Sequence, residues 1–160
     1  MDNSKNYITI LIDSLNKKIK LLEYILVENK RQQLSVSGEK MDEELFEETM
    51  EKKEGYINQI NDIDQGFETV YHHVREELSG NPGQYKDEIS QLKELISVIT
   101  QKSMEVQLSE KRNEQLVTKK FSDIRKDIHK SKNVSKVATD YYKTMSKIGV
   151  VEPQYLDKKK

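Results

Sequence analysis

The side chains with most chemistry to offer are three histidines and a large set of carboxylates in a chain of 160 residues. His72 and His73 are adjacent. Neighbours on a helix point about 100° apart, which suits them poorly to one metal ion. Glu68, His72 and Glu76 do recur at four-residue spacing and share a helix face. Glu–His pairs of this kind are common on charged, solvated helices, and that is our reading of them. His129 stands alone among basic residues. The acidic run from Asp42 to Glu54 imitates a carboxylate site, but a solvated helix face accounts for it. There is no cysteine, hence neither a disulfide framework nor a thiolate nucleophile. No glycine-rich phosphate loop follows a strand, and no nucleophile–base pairing is visible. We expect no catalytic residue, no metal and no cofactor: the chain does not read as an enzyme.

What remains is a surface chemistry, and helices must display it. Phe46, Met50, Lys53, Ile57, Ile60, Asp64, Phe67, Tyr71, Val74 and Leu78 step by four and three without a break. That is a helical seam, and Tyr56, Ile63 and Val70 form a second row beside it. A helix with two apolar rows wants neighbours on both sides, so this stretch is expected to be the one the others pack around. Before it, Ile8, Ile12, Leu15, Ile19, Leu22 and Leu26 form another seam, widened by Leu11, Ile25 and Val27. After it come Tyr85, Ile89, Leu92, Ile96 and Ile99, with Leu95 beside them. The third seam then turns polar at Ser103, Glu110 and Asn113, and resumes at Val117, Phe121, Ile124 and Ile128.

The spacing predicts an all-α fold, an antiparallel bundle of three long helices over about 4–33, 42–79 and 84–130. Asn3 or Ser4 would cap the first, and Asp42, Glu43 and Glu44 place negative charge at the start of the second. Leu34–Lys40 reads as a turn. Ser79-Gly80-Asn81-Pro82-Gly83 reads as a stop, with glycine supplying a left-handed conformation. Gly66, mid-helix, is expected either to allow close approach of the third helix or to be a soft point. At 1.5 Å per residue the third helix would reach about 69 Å and overhang the turn between the first two. Residues 1–130 form the bundle; residues 131–160 form a short amphipathic segment, a helix or a flexible tail.

Composition agrees with long, thin helices. Hydrophobic residues make up 34% and charged residues 34%, so the core must be narrow. Asp13 and Asn16 interrupt the only apolar run near the N-terminus, and no stretch approaches the length of a membrane span. We expect a cytoplasmic protein with no membrane insertion. Net charge is −1 but unevenly spread. Residues 1–118 carry 15 Lys/Arg against 23 Asp/Glu, a net −8; residues 119–160 carry 12 against 5, a net +7. Nucleic acid is not expected as a partner, because arginine ends at Arg125, the lysines are sparse and the acidic body repels phosphate.

The basic end is where a partner fits. Val134, Val137, Ala138, Tyr141, Tyr142, Met145 and Ile148 recur at helical spacing, interleaved with Lys136, Lys143 and Lys147. Tyrosine and methionine are adaptable contact residues, and a marginal amphipathic helix gains most by docking. The stripe can dock on a partner or fold back as a fourth helix of its own bundle. The candidate partner-binding surface is Val117, Phe121, Ile124, Ile128, Val134, Val137, Tyr141, Tyr142 and Met145.

The middle of the chain, Glu51-Lys52-Lys53-Glu54 through Ile57, Ile60, Ile63 and Asp64 to Phe67 and Tyr71, resembles the FlgN-type flagellar export chaperones of Gram-positive gut bacteria. So does the end: Tyr141-Tyr142-Lys143, Met145, Glu152-Pro153-Gln154-Tyr155 and Asp157-Lys158-Lys159-Lys160. The resemblance implies a cytosolic type III export chaperone. It would bind the disordered terminal segments of hook–filament junction proteins, keep them unassembled and help deliver them to the export gate. It implies a substrate-binding region toward the C-terminus, with Tyr141 or Tyr142 contacting the gate. The chaperone of the filament-cap protein is a similar small helical protein and stands as an alternative. So does a structural coiled-coil or adaptor protein without an export role, joined as a homodimer or larger homo-oligomer.

Overall fold

The computed structural model describes residues 3–127 and Asp140. Three helices account for nearly all of them: α1 over Asn3–Ser37, α2 over Glu43–Gly80 and α3 over Lys86–Asp127. No strand occurs among the described residues. The all-α bundle read from the spacing is the observed fold. None of the described helices is long and apolar enough to cross a membrane.

Side-chain partners set the directions. Ser4 meets Glu77, Lys18 meets Asp64 and Gln32 meets Lys53, so α2 runs antiparallel to α1. Glu23 meets Lys102, Asn29 meets Ser109 and Gln32 meets Asn113, so α3 runs parallel to α1. The N-terminus and the α2–α3 turn share one end, which we term proximal; the α1–α2 turn marks the distal end.

The central helix is α1, not α2. The α1 backbone lies close to both others, whereas Cα atoms of α2 and α3 rarely approach within 8 Å. Phe46, Lys53 and Phe67 of α2 and Tyr85 ahead of α3 are among the buried side chains of the interior. The second apolar row of α2, Tyr56, Ile63 and Val70, is only half-buried against the main core. The seam of α1 is also turned from its expected line. Ile8, Leu11, Leu15, Lys18, Leu22, Ile25, Asn29, Gln32 and Val36 are the buried residues at alternating three- and four-residue steps. Ile12, Ile19 and Leu26 are half-buried, and Val27 is exposed. A line drawn through apolar letters alone misses the buried lysine, asparagine and glutamine.

Two turns close the bundle. Between α1 and α2, the Asp42 carboxylate accepts from the Leu45 N–H at 3.1 Å, while its own N–H donates to the Ser35 carbonyl at 2.8 Å. Asp42 thereby satisfies an orphan amide of the first turn, as an N-cap should. Ser35 and Ser37 hydroxyls donate back to the carbonyls of Gln32 and Gln33, each at 2.5 Å, and α1 continues four residues past its expected end. Between α2 and α3, the stop uses no left-handed glycine: none of the described glycines has positive φ. Asn81 caps instead, at φ −133° and ψ 56°, with its N–H on the Glu77 carbonyl. Ser4 donates to the Glu77 carboxylate at 2.6 Å, which binds the start of α1 to the end of α2.

Gly66 does not serve close packing. It is exposed, and a Cβ built there meets no atom within 4 Å. Its cost is then only the backbone entropy of a mid-helix glycine. Gly66→Ala should raise stability by about 1 kcal/mol, read as a higher urea midpoint at unchanged slope. A lower midpoint would show that the position serves a close contact.

Candidate functional site

The apolar interior is divided in two. A large proximal core runs from Ile8 to Ile25 on α1, from Ile57 to Leu78 on α2, and from Tyr85 to Ile99 at the start of α3. A small distal core contains Val36, Phe46, Met50, Val117 and Phe121, with Met41, Leu116 and Ile124 partly buried against it. At about 1.5–3 kcal/mol per fully buried large apolar side chain, the distal core supplies a minor share of the total.

Three candidate partner-binding residues fall in this distal core. Val117 is 1% exposed, Phe121 6% exposed, and Ile124 is half-buried. Val117 and Phe121 therefore lie inside the bundle and not on an overhang. The reason is length: α1 runs on to Ser37, and the α1–α2 turn sits level with Lys120, whose ammonium donates to the carbonyls of Gly38 and Glu39. Of α3 beyond that level, Arg125 and Lys126 are exposed. Ile128, Val134, Val137, Tyr141, Tyr142 and Met145 lie outside the described residues, as do His129 and the remainder of the basic tail except Asp140.

A polar layer separates the two cores. Lys53 is completely buried; its ammonium lies 2.5 Å from the Glu110 carboxylate and donates to Gln32 Oε1 at 3.2 Å. Asn113, also fully buried, donates through Nδ2 to the Asn29 carbonyl at 2.8 Å and to Gln32 Oε1 at 3.2 Å. Asn29 Nδ2 donates to Ser109 Oγ at 2.6 Å. Every helix contributes. The layer is not fully paired: Asn29 Oδ1, Gln32 Nε2 and Asn113 Oδ1 are buried without a hydrogen-bond partner among the described residues. A buried polar atom left this way costs about 1–3 kcal/mol.

The electrostatics follow from burial. Desolvation pushes the Lys53 ammonium below its ordinary value of 10.5, against the upward pull of Glu110 and then Glu28. In the proximal core Lys18 pairs with Asp64 at 2.7 Å. Burial pushes the Asp64 carboxyl above its ordinary 3.8, and Lys18 pulls the other way. Asp64 was placed on the α2 seam by spacing alone; its partner Lys18 was not. Gln32, Asn29 and Lys120 were missed as well. The signal available for the first two was the unbroken three-and-four step of α1, continued through polar residues.

His72 and His73 are exposed, and the Tyr7 and His73 rings stack at 5.7 Å. No group of three His, Asp or Glu side chains among the described residues is placed to hold a metal ion. The chain matches no protein-family model, and comparison with curated proteins and with solved structures finds no similar chain.

Two outcomes follow from the polar layer. Lys53→Ala should destabilise the bundle by about 3–5 kcal/mol, because it strands a buried carboxylate. Lys53→Met with Glu110→Leu should be neutral or stabilising by about 1–4 kcal/mol, since apolar residues of similar volume replace both charges. Urea titration of the three chains checks this. The pH dependence has a definite sign. A lysine whose pKa falls on folding binds fewer protons in the folded chain than in the unfolded one between the two values, so its contribution to stability rises with pH through that window. The wild type should gain on the double variant as pH rises from 7 toward about 10.5, and level off above it.

Proposed function

We propose that the chain is a cytosolic flagellar type III export chaperone of the FlgN type. It binds the disordered terminal segments of hook–filament junction proteins, prevents their premature assembly and aids their delivery to the export gate. The observation that carries this reading is the position of the small distal core. It holds Val117, Phe121 and Ile124, and it lies where α3 leads into the basic segment bearing Val134, Val137, Tyr141, Tyr142 and Met145. Proteins that polymerise through coiled-coil termini are kept apart by a partner offering the same helical seam. A stripe of valine, tyrosine and methionine that follows this core along the sequence supplies such a seam. The resemblance of Glu51–Tyr71 and of the tail to that family points the same way. No catalytic step is assigned to the chain.

A structural adaptor role is the second reading. Leu34 at 69%, Leu108 at 71%, Val27 at 56% and Met104 at 55% exposure place apolar side chains on the outer faces of α1 and α3. Those are faces on which copies of the chain could pair.

Binding of purified junction-protein terminal segments, followed by calorimetry, tests the first reading. Replacing Tyr141, Tyr142 and Met145 together by alanine should weaken binding at least about tenfold, as hot-spot aromatics do, with helix content by circular dichroism unchanged. A melted bundle would make the tail part of the core. Binding only to the filament-cap protein would move the chain to the cap chaperones. No binding, with a stable homo-oligomer in sedimentation, would favour the adaptor.

A further inference from the structure

We propose that the distal half of α3, from Glu110 onward, undocks from the α1–α2 hairpin as one unit while the proximal core stays closed. Topology permits it. The α1–α2 turn holds the other two helices together at the distal end, and among the described residues no turn joins α3 to them there. At the proximal end α3 is joined to α2 by a short turn, and Tyr85 donates to Glu77, which also receives Ser4.

The polar layer marks the line of separation. Lys53–Glu110, Asn113–Gln32, Asn113–Asn29 and Asn29–Ser109 all cross between α3 and the hairpin. Each of these groups regains water on undocking. The charged pair recovers its hydration, and the unpartnered atoms of Asn29, Gln32 and Asn113 lose their penalty. Undocking therefore exposes few apolar side chains and relieves buried polar groups, whereas opening the proximal core exposes many apolar ones. Near the layer Ser109 donates back to the Val106 carbonyl at 2.9 Å. Beyond the layer, Lys120 is the polar latch, donating to the Gly38 and Glu39 carbonyls of the turn. The opening carries Val117 and Phe121 from core to surface, and it stands whether or not the chaperone reading does.

Hydrogen–deuterium exchange of the full chain in native buffer tests it. Residues 92–99 and 113–121 lie similarly far from Lys86 and Asp127, the described ends of α3. Simple fraying then gives equal protection, whereas an undocked helix of this length is marginal in water and exchanges. Amides of 113–121 should exchange roughly 100-fold faster than those of 92–99, with the step near Ser109. Equal protection overturns the proposal. Lys120→Met should speed exchange at 113–121 by about fivefold and leave 92–99 within about twofold. A change that is equal in both segments, or absent from both, overturns it. Lys53→Met with Glu110→Leu should slow exchange at 113–121 by about tenfold. Should that variant not fold, Lys120→Met decides alone.

Discussion

One ammonium group, that of Lys53, touches all three helices of this bundle. It sits on α2, donates to Gln32 of α1 and pairs with Glu110 of α3, with no exposure to solvent. A buried ion pair seldom adds net stability, because desolvation takes back what attraction supplies. Its effect is on register. Sliding α2 by a heptad along the other two would part the charge from both Gln32 and Glu110. Three long helices with repetitive seams have many near-equivalent alignments, and a polar contact that fits only one of them selects it.

The α1 backbone lies close to both other helices, which rarely approach one another. The interior is narrow, which suits a chain with 34% hydrophobic content. It also leaves little redundancy. Where the interior turns polar, no second row of leucines bridges the gap, and the distal core stands apart from the proximal one.

That division gives the proposed function a physical form. A chaperone for segments that fold on binding must hold an apolar helical seam without aggregating through it. Keeping Val117 and Phe121 inside a small, separately held core meets both needs. The sequence that follows is basic while the body is acidic.

Much of the fold was legible in the chain. Most of the α2 seam from Phe46 to Leu78 was read correctly, with Asp64 and Tyr71 only half-buried and the buried Thr49 missed, because strict four-three spacing leaves one face for burial and the sequence shows which letters occupy it. The stops at Gly38 and at Asn81-Pro82 were legible from composition, although the conformation at the second was not: an asparagine with negative φ does what a left-handed glycine was expected to do. Gly66 had no neighbour, since close approach depends on which helix passes and at what distance.

The sequence by itself determined the helices, their lengths to within about a turn and most of the face that α2 buries, since periodicity is a local property of the chain. Only the tertiary structure decided which helix lies at the centre, that Lys18, Asn29 and Gln32 belong inside, and that Val117 and Phe121 are core rather than overhang. Burial of a polar residue depends on a partner supplied from far along the chain, such as Asp64 for Lys18 or Glu110 for Lys53. Pattern along one helix carries no record of that pairing, because the energy that permits it exists only once the helices meet.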